Sequence, residues 1–255
     1  MSFKTLIVNE LPHSITLTLN RLEQNNSLNT LMLQEINSVM DIADKNQACR
    51  AIVIKSQQGV FCTGMDLTEI AQINCDKDRH KIKAWTGLYM ATLKRIAACS
   101  KVVIAQVDGK VVAGGMGLVA ACDIALATES SEFKLSEALW GLLPAMIAPY
   151  LIRRMGFQKT YLLALTTKTI TAKEAQACQL IDVIDVTPEE YLKDIFRRLD
   201  RVNEETVLEL KSYFRKMWII TEEMEAAAIE KTTELLCQPK IQENIRNFIK
   251  SRPLS

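Results

Sequence analysis

Four of the nine glycines in this 255-residue chain lie close together, at Gly109, Gly114, Gly115 and Gly117. Glycine is scarce elsewhere, so the cluster predicts a backbone that turns tightly or approaches another segment closely. It follows the apolar run Val102–Val107, which is typical of a buried strand, and it precedes a short helical pattern. Backbone N–H groups at such a turn point along the helix axis, where they would stabilise an anion or a developing oxyanion. Close packing of a helix on a sheet is the other interpretation.

A second segment has the same layout. The apolar run Ala51–Ile54 is followed by a loop and then by Phe61-Cys-Thr-Gly-Met-Asp-Leu-Thr-Glu-Ile70, which again joins a strand to a helix start through a glycine turn. By itself, the spacing of Thr63 and Asp66 is typical of a helix-capping box. Two such turns in one domain would instead place two backbone amides around one carbonyl oxygen.

The motif spacing argues against several other chemistries. Neither G-x-G-x-x-G nor Gly-Lys-Ser/Thr follows the predicted strands, so we expect no dinucleotide fingerprint and no P-loop. The chain has only two histidines, and its seven scattered cysteines include no C-x-x-C pair. We therefore expect no metal, no Ser-His-Asp triad and no disulfide framework. Cys62, which lies in the Phe61–Ile70 segment, is interpreted as a packing residue and not as a nucleophile.

Charge and hydropathy indicate a globular protein of the cytosol. The chain has 31 basic and 30 acidic residues, a net charge of +1 and 48% hydrophobic residues. This balance, without interleaved aromatic and basic residues, disfavours nucleic-acid binding and attachment to a membrane surface. No apolar run approaches the roughly 18–20 residues that span a bilayer, and the start lacks a signal-peptide pattern, so we expect a cytoplasmic protein.

Strand and helix patterns alternate over residues 1–185. The predicted strands are Phe3–Val8, Ile15–Leu19, Ala51–Ile54, Val102–Val107 and Asp123–Ala127. The predicted helices of this part cover residues 31–43, 82–97 and 118–122. The pattern predicts an α/β core.

Residues 186–255 are mostly helical. Just before them, Thr171 and Glu174 form a capping-box pattern, and Thr187 with Pro188 is typical of a helix start. The later helical periodicity breaks near three positions, Asn203, Thr221 and Pro239. We expect this helical region to pack on the core and on a neighbouring subunit.

Taken jointly and in order, the two glycine segments and the run Glu132-Phe-Lys-Leu-Ser-Glu-Ala-Leu-Trp-Gly-Leu-Leu-Pro144 resemble the enoyl-CoA hydratase/isomerase (crotonase) superfamily. The resemblance covers nearly the whole chain. It implies an α/β spiral of ββα turns, a helical C-terminal trimerisation region, and a homotrimer or hexamer. It also implies a thioester substrate whose carbonyl is held in an oxyanion hole by the N–H groups of Met65 and Gly114. One such fixed donor lowers a barrier by about 3–4 kcal/mol.

The resemblance also implies which side chains act. Typical hydratases of the family use two glutamates, but the position of the first is Gly117 here, whereas Glu137 aligns with the second. One general acid/base therefore remains, as in many isomerases of the family. Asp66 is a candidate second acid, although a helix cap is the other interpretation. Trp140, Trp85 and Gly117 are predicted to line the substrate pocket, although the position of Trp85 on its helix is also typical of a core residue.

Within the superfamily the chain most resembles the dehydratases of polyketide β-branching cassettes, which also have glycine where Gly117 stands. Those enzymes convert 3-hydroxy-3-methylglutaryl groups on an acyl carrier protein into the 3-methylglutaconyl thioester. The resemblance implies acyl carrier protein and polyketide synthase enzymes as partners. It implies no cofactor, because phosphopantetheine of the carrier protein, or of CoA, carries the substrate.

Three other functions remain open. An isomerase or hydratase acting on CoA esters would also resemble this chain, and an isomerase needs one carboxylate. The decarboxylase of the same cassettes is expected to use a lysine and a C-terminal histidine, and no histidine follows His80. A non-catalytic scaffold is disfavoured because both glycine turns and Glu137 are present.

In the implied mechanism, Glu137 removes a proton from C2, the two amides hold the enolate oxygen, and the protonated Glu137 returns the proton to the departing C3 hydroxyl. Apolar neighbours such as Leu135, Leu139 and Trp140 are expected to raise the pKa of Glu137.

The distal carboxylate of a glutaryl group needs a cation or several hydrogen-bond donors if it is buried. The sequence does not choose among five cations, Arg79, Lys81, Lys83, Arg153 and Arg154. Three more side chains are candidates for the phosphate of phosphopantetheine, Lys159, Lys250 and Arg252.

Overall fold

The computed structural model describes residues 3–57, 59–184 and 188–251. Its ten strands are β1 (Leu6–Leu11), β2 (Ser14–Leu19), β3 (Ala51–Ser56), β4 (Val60–Cys62), β5 (Val102–Val107), β6 (Lys110–Val112), β7 (Ile124–Ala127), β8 (Glu132–Lys134), β9 (Thr169–Thr171) and β10 (Val183–Ile184). One sheet has the order β1-β2-β3-β5-β7-β10 and is parallel except for the β1–β2 hairpin. The other has the order β4-β6-β8-β9 and is parallel except for β8–β9.

The described helices are α1 (Thr30–Lys45), α2 (Leu67–Ala71), α3 (Cys75–Ala98), α4 (Gly114–Ala121), α5 (Ala148–Met155), α6 (Phe157–Thr166), α7 (Ala172–Ala177), α8 (Pro188–Leu199), α9 (Glu204–Arg215), α10 (Glu222–Leu236) and α11 (Pro239–Ser251). Two short 3-10 helices cover Leu22–Gln24 and Glu137–Trp140. Among the residues that the structure describes, no helix combines the length and the apolarity that crossing a membrane requires.

The strands enter the two sheets in consecutive pairs. Each of the pairs β3–β4, β5–β6 and β7–β8 contributes one strand to each sheet, and helices follow each pair. This is the spiral of ββα turns that the resemblance predicted, so the fold class is confirmed. Because β4 and β6 are parallel neighbours, the segments that leave their carboxyl ends emerge side by side. Those two segments carry the two glycine turns.

The buried strands lie where the apolar runs predicted them. Val102–Val107 is β5 at the predicted bounds, and β3 begins at Ala51 as expected. The first strand differs, because β1 covers Leu6–Leu11 where Phe3–Val8 was predicted. β1 pairs with β2 from Leu6 opposite Leu19 to Leu11 opposite Ser14, so it continues to the hairpin turn. Its last three residues are exposed and include the polar Asn9 and Glu10, which interrupt the apolar pattern.

Helix α3 begins earlier than predicted, at Cys75 and not at residue 82. The Asn74 side chain accepts a hydrogen bond from Asp76 N–H and caps the helix, and Asp76 and Asp78 lie in its first turn, where negative charge is favourable. These first turns are largely exposed, so they lack the apolar periodicity of the buried part. The polar composition of residues 75–81 is therefore that of solvated helical turns and does not mark a loop before the helix.

The C-terminal helices begin where the sequence predicted the breaks. Asn203 and Thr221 cap α9 and α10 through their side chains, and Thr171 forms the predicted capping box with Glu174. Thr187 and the boundary predicted at residue 185 lie outside the described residues. α8 packs against one face of the large sheet, whereas α10 contributes the fully buried Leu236 and α11 the fully buried Ile245 to the main core.

Shortening Leu236 to alanine tests whether α10 belongs to the main core. We expect Leu236→Ala to lower the free energy of unfolding by about 2–5 kcal/mol, because it leaves a cavity in a fully buried site. Leu11→Ala is the control, since that side chain is 54% exposed. Urea unfolding followed by tryptophan fluorescence measures both. A separate early transition, with the main one unchanged, would contradict a shared core.

Candidate active site

The first glycine turn joins β4 to α2 and carries the backbone amide of Met65. Gly64 has a φ of +82°, in the left-handed region that favours glycine. Its carbonyl accepts a 2.7 Å hydrogen bond from Leu28 N–H, and Asp66 N–H donates to the Leu28 carbonyl at 2.9 Å. The C=O and N–H groups of one trans peptide point in opposite directions, so the Met65 N–H faces away from Leu28.

The second turn joins β6 to α4 and carries the amide of Gly114. Ala113 has a φ of +49°, which costs on the order of 1–3 kcal/mol for a residue with a side chain. Its carbonyl accepts a 2.8 Å bond from Met116 N–H within the first helical turn, so the Gly114 N–H points out of the N-terminal end of α4. Tyr89 Oη donates to the Gly114 carbonyl at 2.6 Å and holds the next peptide in place.

The two turns lie against each other. A Cβ on Gly64 would lie 2.9 Å from the Gly114 nitrogen, and a Cβ on Gly114 would lie 3.4 Å from the Gly64 Cα. Met65 and Gly114 line the same cavity, and neither N–H donates a hydrogen bond to another described residue. Two free amides on adjoining turns are what an oxyanion hole requires. Their action on a substrate stays a prediction.

The other two glycines of α4 allow close packing, as the packing interpretation of the cluster predicted for these positions. A Cβ on Gly115 would lie 2.4 Å from the carbonyl oxygen of Cys62, which is fully buried. A Cβ on Gly117 would lie 2.4 Å from Ile147 Cγ2 and 2.4 Å from Tyr89 Oη. Gly117 therefore lies behind two cavity-lining side chains and does not itself line the cavity. No larger side chain fits there without a shift.

Glu137 begins a 3-10 helix and lines the same cavity. Its Oε2 is buried and has no hydrogen-bond partner. Burial raises the pKa of the carboxyl group to about 7, although hydrogen bonds from the backbone of Glu137 and Ser136 oppose the shift. The predicted direction is confirmed, but Leu139 is 58% exposed and does not line the cavity. Other apolar side chains surround the site, among them Trp140, Leu142, Met146 and Ile147.

Asp66 stabilises the first turn and is not a lining residue of the cavity. Its Oδ1 accepts hydrogen bonds from Thr68 N–H at 3.0 Å and Glu69 N–H at 3.3 Å, so it caps α2. Its Oδ2 accepts a 2.8 Å bond from Arg21 Nη2. The geometry favours the capping interpretation of Asp66. Thr63 is not the cap, because its hydroxyl donates to a carbonyl of an earlier loop.

Two tryptophans form walls of the cavity, whose empty space is about 650 Å³ when the open solvent at its mouth is counted. The Trp85 ring stacks on Tyr89 with centroids 5.6 Å apart, and the Trp140 ring packs on Phe248 of α11 at 4.6 Å. Trp85 is only 4% exposed, so it is both a core residue and a lining residue. Thr232 of α10 also lines the cavity, and no motif in the sequence distinguished it.

The five candidate cations lie outside the cavity. Arg153 and Arg154 each donate a 2.9 Å hydrogen bond to the Cys122 carbonyl beyond the end of α4. The other three form ion pairs with Glu230 or Asp78; they are Arg79, Lys81 and Lys83. Among the described residues, no lysine, arginine or histidine lines the cavity, and Glu137 is its one carboxylate. No group of described side chains could hold a metal ion.

Comparisons with known proteins point to one family. Residues 13–253 match the family model for enoyl-CoA hydratase/isomerase. The chain is 32% identical over 235 residues to the bacillaene synthase dehydratase PksH of Bacillus subtilis (strain 168), covering 92% of this chain and 90% of that protein. It is also 32% identical over 170 residues to the enoyl-CoA hydratase EchA19 of Mycobacterium tuberculosis, covering 66% and 64%.

Solved structures have the same fold. A Bacillus subtilis crystal structure, named for a polyketide biosynthesis enoyl-CoA hydratase (pksH), has a TM-score of 0.89 at 28% identity and covers 98% of both chains. An enoyl-CoA hydratase from Bacillus halodurans has a TM-score of 0.87 at 18% identity, covering 96% of this chain and 100% of that one, so that likeness concerns the fold alone.

Gly117→Ala tests how tightly α4 is packed behind the cavity. We expect it to lower the free energy of unfolding by about 1–3 kcal/mol, because the added methyl group meets Ile147 and Tyr89. Gly87→Ala is the matched control. A Cβ there meets nothing within 4 Å in helix α3, so we expect a gain of up to about 1 kcal/mol. Equal effects of the two substitutions would contradict the packing.

Glu137→Gln tests the buried carboxylate through stability. In the folded state the pKa of Glu137 is raised to about 7 from 4.5. The contribution of this carboxyl group to the free energy of unfolding is therefore fully present below about pH 4.5 and is lost as the pH rises through about 7. The glutamine variant lacks this loss. Its stability relative to wild type should therefore rise by up to roughly 3 kcal/mol across that range. Denaturant unfolding at several pH values measures it, with the exposed Glu10→Gln as control. A flat difference would contradict the raised pKa.

Proposed function

The chain belongs to the enoyl-CoA hydratase/isomerase family, and we propose that it removes water from a 3-hydroxy-3-methylglutaryl thioester on an acyl carrier protein. The product would be the 3-methylglutaconyl thioester of polyketide β-branching. Family membership makes the chain an enzyme of the hydratase/dehydratase type. The name of its relative PksH, a bacillaene synthase dehydratase, supports the narrower proposal.

The lone carboxylate of the cavity is the observation that supports this reaction most strongly. Hydration with two glutamates needs a second acid beside α4, and Tyr89 and Ile147 occupy the space next to Gly117. Elimination from a tertiary C3 needs one group that first accepts a proton and then donates it. Glu137 is the residue available for both steps.

In the proposed reaction, Glu137 takes the proton from C2 and the electron pair of that C–H bond moves into an enolate. The Met65 and Gly114 amides donate to the enolate oxygen. The electron pair then forms the C2–C3 double bond as the C3–O bond breaks. The departing hydroxyl takes the proton from Glu137 and leaves as water, which restores the carboxylate. Because one carboxyl group acts on one face of the acyl chain, the elimination is syn.

The raised pKa of Glu137 suits this double role. A carboxyl group with a pKa of about 7 is partly ionised near neutral pH and can accept a proton. Its protonated form is also a weaker acid than an ordinary carboxylic acid, so it can hold the proton until the hydroxyl leaves. Burial raises this pKa, and an arriving acyl chain would keep water away from the carboxyl group.

A double-bond isomerase acting on CoA esters is the second candidate. The same single carboxylate favours it, because isomerisation also needs one group to move one proton between two carbons. The two candidates differ in whether C3 carries a hydroxyl group that leaves.

We also propose a homotrimer or hexamer that works with acyl carrier protein and polyketide synthase enzymes in the cytoplasm, with no cofactor of its own. Helix α9 buries none of its residues and exposes four large apolar side chains, Leu208, Leu210, Tyr213 and Phe214. Such a row supports coverage by a neighbouring subunit.

Lys159 and Lys250 are exposed and stay candidates for binding the phosphate of phosphopantetheine, whereas Arg252 lies outside the described residues.

Incubation with 3-hydroxy-3-methylglutaryl-carrier protein and, separately, with a 3-enoyl-CoA tests the proposal by mass spectrometry and chromatography of the products. We expect loss of one water from the first substrate. Glu137→Gln should lower that rate by about 10²–10⁴-fold, since it removes the general base.

Glu132→Gln is the matched control, because Glu132 is exposed and not a lining residue of the cavity, and it should retain the wild-type rate. If the enoyl-CoA is isomerised and the carrier-protein substrate stays unchanged, the dehydratase proposal is wrong and the isomerase proposal is supported. A Glu137→Gln variant with the wild-type rate would reject both.

A further inference from the structure

Three residues that line one cavity each carry a buried polar atom without a hydrogen-bond partner: Trp85 Nε1, Thr232 Oγ1 and Glu137 Oε2. About nine in ten buried polar groups in proteins find a hydrogen-bond partner, so such a group needs an explanation. The proposed function uses Glu137 but leaves the other two atoms without a role. Trp85 and Thr232 are each only 4% exposed, so bulk water does not satisfy them.

The Thr232 hydroxyl has no hydrogen-bond partner, although threonines of the neighbouring turns bond to backbone carbonyls of their own helices. Thr86, Thr92 and Thr233, in the same pair of helices, each donate to the carbonyl four residues earlier, at 2.7–3.1 Å. Thr232 makes no such bond. Its hydroxyl is therefore available to a group inside the cavity.

Contacts between α3 and α10 hold the two donors in place. Thr86 and Thr233, which directly follow Trp85 and Thr232, have their hydroxyl oxygens 3.1 Å apart. The Trp85 ring is further oriented by its stacking on Tyr89. Both donors are thus preorganised on packed helices.

We propose that Trp85 Nε1 and Thr232 Oγ1 bind the distal carboxylate of a branched dicarboxylic acyl chain, in a site whose described lining residues include no cation. This inference rests on the proposed function. The acyl group there has three polar parts. The thioester oxygen meets the Met65 and Gly114 amides, and the C3 hydroxyl meets Glu137. The distal carboxylate is the acceptor that remains.

The chemistry of the two donors fits a carboxylate. An indole N–H can only donate, so its partner must be an acceptor, and a hydroxyl is free to donate. The two oxygens of one carboxylate accept both bonds, and hydrogen bonds to a charged group are stronger than those between neutral groups. Lys83 and Arg79, cations of the same helix α3, both pair with Glu230 on α10 outside the cavity.

Binding of two unreactive thioesters tests the inference without turnover. 3-Methylglutaryl-pantetheine lacks the leaving hydroxyl, and 3,5-dimethylhexanoyl-pantetheine has an isopropyl group in place of the carboxylate. Calorimetry gives Kd for both with the wild type, Trp85→Phe and Thr232→Val. We expect each substitution to weaken binding of the dicarboxylic compound by about tenfold or more and to change binding of the apolar compound by less than about twofold.

Thr92→Val is the control, because it removes a buried hydroxyl of helix α3 that already has two partners, the Leu88 carbonyl and the Asn37 side chain, and that does not line the cavity. It should leave the ratio of the two Kd values unchanged. Wild-type protein that prefers the apolar compound, or variants that weaken both compounds equally, would overturn the inference. Melting temperatures of all variants establish that they are folded.

The inference and the proposed function fail in different ways. Selective loss of dicarboxylate binding in a protein that does not dehydrate 3-hydroxy-3-methylglutaryl-carrier protein would keep the carboxylate site and reject the reaction. Dehydration by a protein whose variants show no selective loss would keep the reaction and reject the site.

Discussion

The contact between two glycine turns is the constraint on which the rest of the site depends. β4 and β6 are parallel neighbours, so the turns that follow them meet at one edge of the small sheet. They approach until a Cβ on Gly64 would lie 2.9 Å from the Gly114 nitrogen. That approach brings Met65 and Gly114 together in the lining of one cavity. The positive φ of Ala113 is a local strain that the surrounding pairing must offset.

The lone carboxylate of Glu137 depends on the same packing. Tyr89 holds the Gly114 carbonyl at 2.6 Å, and its hydroxyl oxygen also fills the space beside Gly117. One side chain therefore helps to orient an amide and excludes a second acid. The other carboxylate of the region, Asp66, is held by Arg21 and by the first turn of α2. A buried unpaired acid is unfavourable for stability above its pKa, which is typical of sites where a group is kept ready to react.

Much of this arrangement could be predicted, and the failures have physical causes. β5 and the caps of α9 and α10 carry strong local signals, because burial and capping act within a few residues. β4, β6 and β8 have three residues each, too few for a periodic pattern, and only the family resemblance implied them. Thr232 lies on a distant helix in an ordinary helical sequence. Its importance arises from tertiary packing, which brings α10 onto α3.

The absence of a cation from the lining residues of the described chain is consistent with the proposed role of Glu137 as a general base. An arginine or lysine that paired with the substrate's distal carboxylate would share the cavity with Glu137. An opposite charge within about 4–6 Å lowers a carboxyl pKa by roughly 1–3 units, which would return Glu137 to ordinary acidity. It would then be a poor acceptor for a C2 proton. Recognition of a second carboxylate by an indole and a hydroxyl gives selectivity without that loss, because neutral donors bind the anion while leaving the base strong.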